Sequence, residues 1–277
     1  MISINPLDVF FWTFRRNEKD VINLYNTLSP VMQLATGGSM LNFGYWSEKN
    51  ITPLSAQDNL CTFFGNFAEL SSARLILDVG SGLSSPSKLW RDSFTHLNIC
   101  CVNTNFKQLL FSGPQKNIEF LNSTSTKLPI ANNLVDRVLA LESAQHFKPL
   151  SEFIKESKRI LKENGLLVLA VPTASENFTL GKLDLLKYTW SSEHYTLNYL
   201  KELIESVGFQ VCGEKLIGSD VYEPLADYYI ENRNEIKKSI SKKYPGYVEN
   251  ILFQSIQKMR TASKEKIIEY ALIKCRL

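Results

Sequence analysis

Residues 75–86 read Leu75-Ile76-Leu77-Asp78-Val79-Gly80-Ser81-Gly82-Leu83-Ser84-Ser85-Pro86. An apolar run ends in an acid, passes through a glycine turn and meets a helix start. The run 75–79 suits a strand buried on both faces of a parallel sheet. Gly80 and Gly82 let the backbone turn sharply and approach a ligand closely. Ser84 or Ser85 is placed to cap the next helix, and Pro86 suits its first position. Strand, bare-backbone turn and helix N-terminus together make a nucleotide-type site at the carboxyl edge of a sheet. A glycine pair alone fits a plain strand-to-helix turn equally well, so the rest of the chain has to decide.

That rest is ordinary in bulk. The chain has 277 residues, 44% hydrophobic and 21% charged, enough for one large core with an appended lid. A formal net charge of +3 is too small to argue for nucleic acid, and no basic run is long enough to track a phosphate backbone. The five cysteines, Cys61, Cys100, Cys101, Cys212 and Cys275, include no C-x-x-C pair. They read as reduced thiols, mostly buried, in a cytoplasmic protein. His96, His146 and His194 are scattered, which gives no zinc spacing. The apolar patch at 9–14, followed by Arg15 and Arg16, is too short and wrongly flanked for a signal peptide or a membrane span. No feature of the sequence specifies an oligomeric state.

Outward from the glycine turn, elements alternate. Strands are expected at 74–79, 98–102, 118–121, 135–141, 166–171, 209–216 and 267–276, and helices at 86–94, 105–112, 150–161 and 197–206. This alternation predicts a doubly wound α/β domain. Residues 1–70 are aromatic and read as an N-terminal helical cap. Residues 71–217 form the cofactor-binding core, 218–264 a tyrosine-rich helical lid insertion, and 265–277 the final strand of the core. No internal repeat or low-complexity segment is apparent.

Six blocks carry a resemblance, in order along nearly the whole chain: "NLYNTLSPVMQLATGGSMLNFGYW" at 23–46, "LILDVGSG" at 75–82, "CVNTNFKQL" at 101–109, "LNSTSTKLPIANNLVDRVLALESAQHF" at 121–147, "FIKESKRILKENGLLVLAVP" at 153–172 and "LKELIESVGFQV" at 200–211. Together they resemble the class I S-adenosylmethionine-dependent methyltransferases, in the small-molecule branch around the tocopherol, sterol and natural-product enzymes. The resemblance implies a seven-stranded, mostly parallel Rossmann-like sheet and S-adenosyl-L-methionine as cofactor. It implies that Asp78, Gly80, Ser81 and Gly82 hold the methionine end. Asn103 and Thr104 meet the ribose, Thr124 and Ser125 the adenine side, and Tyr25 closes from the cap, as do Tyr45 and Trp46. The chain departs from the family pattern at three places. Ser84 stands for the usual third glycine, Asn103 for the acid ending the second strand, and Thr124 or Ser125 for the aspartate before Leu128-Pro129. An amide can still serve a ribose diol, without the charge assistance of a carboxylate.

Glu142 follows an apolar strand and should sit at the carboxyl edge, where open α/β sheets bind ligands. His146 lies four residues on. If the turn enters a helix the two share a side, and Glu142 could orient His146 or raise its basicity. A histidine there suits proton removal, while a helix-start histidine or a plain exposed acid explains the same pattern structurally. Methyl transfer needs an aligned nucleophile, excluded water and a proton acceptor. The expected activity is methylation of a small, partly apolar molecule, at oxygen or carbon. The alternatives are N-methylation and a cofactor-binding member that no longer methylates. A nicotinamide enzyme is disfavoured, because Ser85 and Asn103 stand where a third glycine and an acid are needed.

Overall fold

The structure is a computed structural model describing residues 15–47, 51–176, 186 and 192–277; the aromatic patch at 9–14 lies outside them. Its centre is a seven-stranded sheet in the order β3-β2-β1-β4-β5-β7-β6. The strands are β1 (Leu75–Val79), β2 (Asn98–Asn103), β3 (Ile118–Asn122), β4 (Val135–Leu141), β5 (Leu161–Ala174), β6 (Gln210–Leu216) and β7 (Ile268–Arg276). β7 runs antiparallel to both β5 and β6, and the other pairings are parallel. This is the doubly wound, mostly parallel sheet that the alternation predicts.

Strand alternation feeds two core layers. Ile76, Leu139, Leu166, Val168 and Ala170 face one side. There they meet helices α2 (Pro53–Phe67), α3 (Ser85–Ser93) and α7 (Tyr222–Glu231), through Phe64, Trp90 and Tyr222. Leu77, Val79, Val138, Leu167 and Leu169 face the other side, under α5 (Leu150–Ile160) and α6 (Leu197–Ser206). The sheet is therefore covered on both faces, as parallel strands require. β5 is longer than its apolar run suggests. β7 pairs with it out to Ala174, and Leu161 already pairs with Val135.

Helix α1 (Glu18–Thr36) starts where Asn17 accepts a hydrogen bond from the Asp20 amide at 3.0 Å, and it ends at Gly37 in a left-handed conformation (φ +80°). Cap and turn residues of this kind satisfy the orphan groups of helix ends. Between β6 and β7 the chain forms α7, α8 (Arg233–Ser241) and α9 (Gly246–Lys264). α4 (Phe106–Ser112) follows β2.

Candidate active site

β1 and β4 are neighbours, but their connections leave the sheet in opposite directions, so a crevice opens at their carboxyl ends. Gly80 follows β1 and Glu142 follows β4, and both line a cavity of about 440 Å³. Its floor is Gly80, Ser81, Gly82, Asn103, Thr104 and Ser125. Its upper walls come from α1, through Leu28 and Val31, and from α7 and α9, through Leu225, Leu252 and Met259. One end is thus polar backbone and small side chains, and the other is an apolar arm.

The glycine turn is held by β2: the amides of Gly80 and Ser81 donate to the Val102 carbonyl at 2.8 and 3.2 Å. A Cβ on Gly80 (φ +75°) would lie 2.4 Å from the Ser143 Cβ, so glycine there makes room for the turn after β4. A Cβ on Gly82 (φ +55°) meets only Leu41, at 3.8 Å. Gly82 thus leaves its backbone open to a ligand, which fits the methionine end of S-adenosylmethionine. Ser84 keeps the left-handed backbone of a third glycine (φ +56°). Its hydroxyl bonds Ser81 Oγ at 3.3 Å and does not cap α3, contrary to the capping expectation.

The polar residues divide. Asp78 is buried and accepts from Ser87 Oγ at 2.6 Å; burial raises its pKa to about 6. It ties the loop to α3 and is not among the residues lining the cavity. Asn103 lines it, but both amide hydrogens are spent, on the Gly82 carbonyl (3.1 Å) and Gln108 Oε1 (2.9 Å). Its Oδ1 accepts from the Asn105 amide at 3.0 Å, which leaves one lone pair for a ribose hydroxyl. Thr124 turns to the cap and donates to the Glu18 carboxylate, while Ser125 lines the cavity. Glu18 lines it as well. A carboxylate from α1 therefore reaches the place where the sequence lacks the acid before Leu128-Pro129.

The turn after β4 carries the remaining groups. Glu142 (φ +52°) does not orient His146, contrary to expectation. Its Oε1 accepts from the Phe43 amide at 3.0 Å and from Tyr270 Oη at 2.8 Å. Burial pushes its pKa up to about 8, against the opposing pull of those two donors. The chain enters a single 3₁₀ turn at Ala144–His146 rather than an α-helix, so the i, i+4 geometry is never formed. His146 instead meets Tyr25: Tyr25 Oη lies 2.9 Å from His146 Nε2, with the rings edge to face. Burial, helped by the Arg16 charge, lowers the His146 pKa to about 4. Nδ1 of His146 is buried without a hydrogen-bond partner among the described residues. Tyr25 and Phe43 line the cavity. Tyr45 stacks on Phe63 and Trp46 packs against Tyr228, so both brace the cap rather than closing over the site. Of the late tyrosines, Tyr228, Tyr229 and Tyr247 line the cavity, and Tyr222 and Tyr244 are core. Gln108, Gln145 and Tyr270 carried no signal of their own in the sequence. Among the described residues no cluster could hold a metal ion.

A Rossmann-like sheet with a glycine-floored crevice at its switch point is the architecture of class I methyltransferases. Residues 77–169 match the family described as methyltransferase domain. Erythromycin 3''-O-methyltransferase of Saccharopolyspora erythraea is 24% identical, over 87% of this chain and 85% of its own length. Among solved structures, the [4+2]-cyclase SpnF superposes with a TM-score of 0.79 at 18% identity, over 94% of this chain and 96% of that one. The mycolic acid cyclopropane synthase CmaA1, complexed with SAH and CTAB, gives 0.78 at 13%, over 96% and 98%. The chain carries a methyltransferase domain and is an S-adenosylmethionine-dependent methyltransferase. Its cofactor is S-adenosylmethionine and its substrate a small molecule, and no described helix is long and apolar enough to cross a membrane. A cofactor-binding member without transfer is not favoured.

Proposed function

We propose that this enzyme methylates a hydroxyl of a partly apolar small molecule, with His146 as the general base. The observation that carries the reading is His146 itself. It is neutral near pH 7, it lines the cavity beside the glycine floor, and one ring nitrogen is engaged by Tyr25 while the other has no partner among the described residues. A buried N–H without an acceptor is rarer than a buried lone pair without a donor. The favoured tautomer therefore keeps the proton on Nε2, donated to Tyr25 Oη, and leaves Nδ1 free to accept. Tyr25 then holds the ring and stabilises the imidazolium once the proton arrives. S-adenosylmethionine supplies a methyl group already activated by its sulfonium. The chain has only to align the acceptor, exclude water and take a proton. The apolar arm between α1 and α9 does the excluding. The O-methylating relative supports oxygen as the methylated atom. Gly80, Ser81, Gly82, Asn103, Thr104 and Ser125 are assigned to the cofactor, with Asp78 and Thr124 supporting them from behind.

His146→Ala should leave cofactor affinity, measured by calorimetry, nearly intact. It should lower kcat on a neutral hydroxyl acceptor by about a hundredfold to ten-thousandfold. Full turnover in that variant would remove the base. Because the pKa is lowered to about 4, the wild-type rate should stay level from pH 8 down to about 5 and fall only below that.

A further inference from the structure

Glu142 is held by one oxygen and open at the other. Its Oε1 takes both donors, the Phe43 amide at 3.0 Å and Tyr270 Oη at 2.8 Å. Oε2 bonds no described residue and is not sealed off, so it opens on the cavity that the side chain lines. The turn that carries Glu142 is tied to the glycine turn. Ser143 Oγ donates to the Val79 carbonyl at 2.6 Å, and a Cβ on Gly80 would lie 2.4 Å from the Ser143 Cβ. The open oxygen therefore belongs to the glycine-floored end of the cavity. The charges there are one-sided. Among the described residues the lining includes two carboxylates, Glu18 and Glu142, and no lysine or arginine. Glu18 is exposed and bonded to Thr124. Glu142 is half-buried, and no basic side chain acts on it. A carboxylate taken out of water is costly unless a cation joins it.

We infer that Glu142 is the charge partner of the cofactor's sulfonium, and that its open oxygen makes the site prefer S-adenosylmethionine to the demethylated product, S-adenosylhomocysteine. The two ligands share their amino and carboxyl groups and differ in the charge on sulfur. Burial holds the Glu142 pKa at about 8, so near pH 7 the acid keeps its proton until a cation arrives. An opposite charge close by favours the ionised form, and the proton then leaves. Glu142 loses that partner once transfer leaves a neutral thioether, and it regains a proton from solvent. The other titratable groups around it stay out of the exchange. Tyr25 on α1, Cys61 on α2, Tyr222 on α7 and Tyr270 on β7 all sense its charge, and burial raises each of them, so all are neutral near pH 7. His146 is neutral there too, and Asp78, at about 6, is already ionised. Glu142 plays this part whether or not His146 is the base.

Calorimetry on the full chain at pH 7 tests the pairing, in phosphate and in Tris, whose ionisation heats differ widely. Titration with S-adenosylmethionine should release about one proton per site, and S-adenosylhomocysteine close to none. Glu142→Gln keeps an oxygen for the two donors but has no proton to give. It should bind S-adenosylmethionine without release, and its preference for cofactor over product should fall by about tenfold or more. The two-buffer comparison on the wild type stands even if the variant misfolds. No release with S-adenosylmethionine, or release that persists in Glu142→Gln, would overturn the assignment. Equal release with both ligands would overturn it as well, by setting the carboxylate against the amino group that they share. Failure of the base reading looks different: His146→Ala would turn over normally while the proton release remained.

Discussion

Glu142 closes β4 with a carboxylate that two distant residues hold. Its position after an apolar strand puts it at the carboxyl edge. What its carboxylate does depends on Phe43 and Tyr270, which are 99 and 128 residues away. Its folded pKa, about 8, is raised above the ordinary value of 4.5. A raised acid contributes stability that is fully present below pH 4.5 and lost as pH rises towards 8. Glu142→Gln keeps an oxygen for both donors and removes the titration. Its melting temperature relative to wild type should therefore rise steadily between pH 5 and 8, as thermal denaturation would show. Asn103 offers a second test. A carboxylate there looks like a return to the family pattern, but Asn103→Asp would set an anion 3.1 Å from the Gly82 carbonyl and delete both amide donors. Such losses are worth about 1–3 kcal/mol each when buried. The variant should melt lower and bind cofactor more weakly, by calorimetry, despite matching the usual residue. The glycine turn and the position of His146 were legible in the sequence because both are set locally, by strand end and turn. The Tyr25–His146 contact and the places of Gln108 and Gln145 were not, because they depend on what the tertiary fold sets side by side.

At the scale of elements, α1 spans the length of the crevice. Asn26 bonds Asn105 at 3.1 Å, Ser29 bonds Gln108 at 3.2 Å, Glu18 bonds Thr124, and Tyr25 meets His146. Every one of these partners lies on the core, three of them along the β2 and β3 ends. The helix was legible from its aromatic, apolar sequence and from the cap motif at 23–46. Its attachment was not, since polar side chains on a helix face give no hint of what they will meet. Asn17 is the sensitive point. Asn17→Ala removes the N-cap bond, at a cost of about 1 kcal/mol. The first-turn amides of α1 should then exchange faster by hydrogen–deuterium exchange, while those of β1 and β4 stay protected. Cofactor bound under α1 should slow the same amides, and α9 should slow further when an acceptor fills the apolar arm.

For the molecule as a whole, the sheet and its two core layers were the most legible part, because strand alternation and helix periodicity recur along the entire core. The cavity was the least legible. It is bounded by segments from residue 18 to residue 259, and no local pattern records that convergence. The order β3-β2-β1-β4-β5-β7-β6 also has a consequence for biosynthesis. β7 is translated after β6 yet lies between β5 and β6. Until the ribosome has delivered residues 268–276, the outer edge of β5 has no partner and β6 has nowhere to dock. The nascent chain thus carries an open, apolar strand edge for the time it takes to make three helices, and such edges invite pairing with other chains. Those helices, α7 to α9, emerge within that interval, so the segment that later walls the cavity is also the one best timed to shield the unfinished sheet.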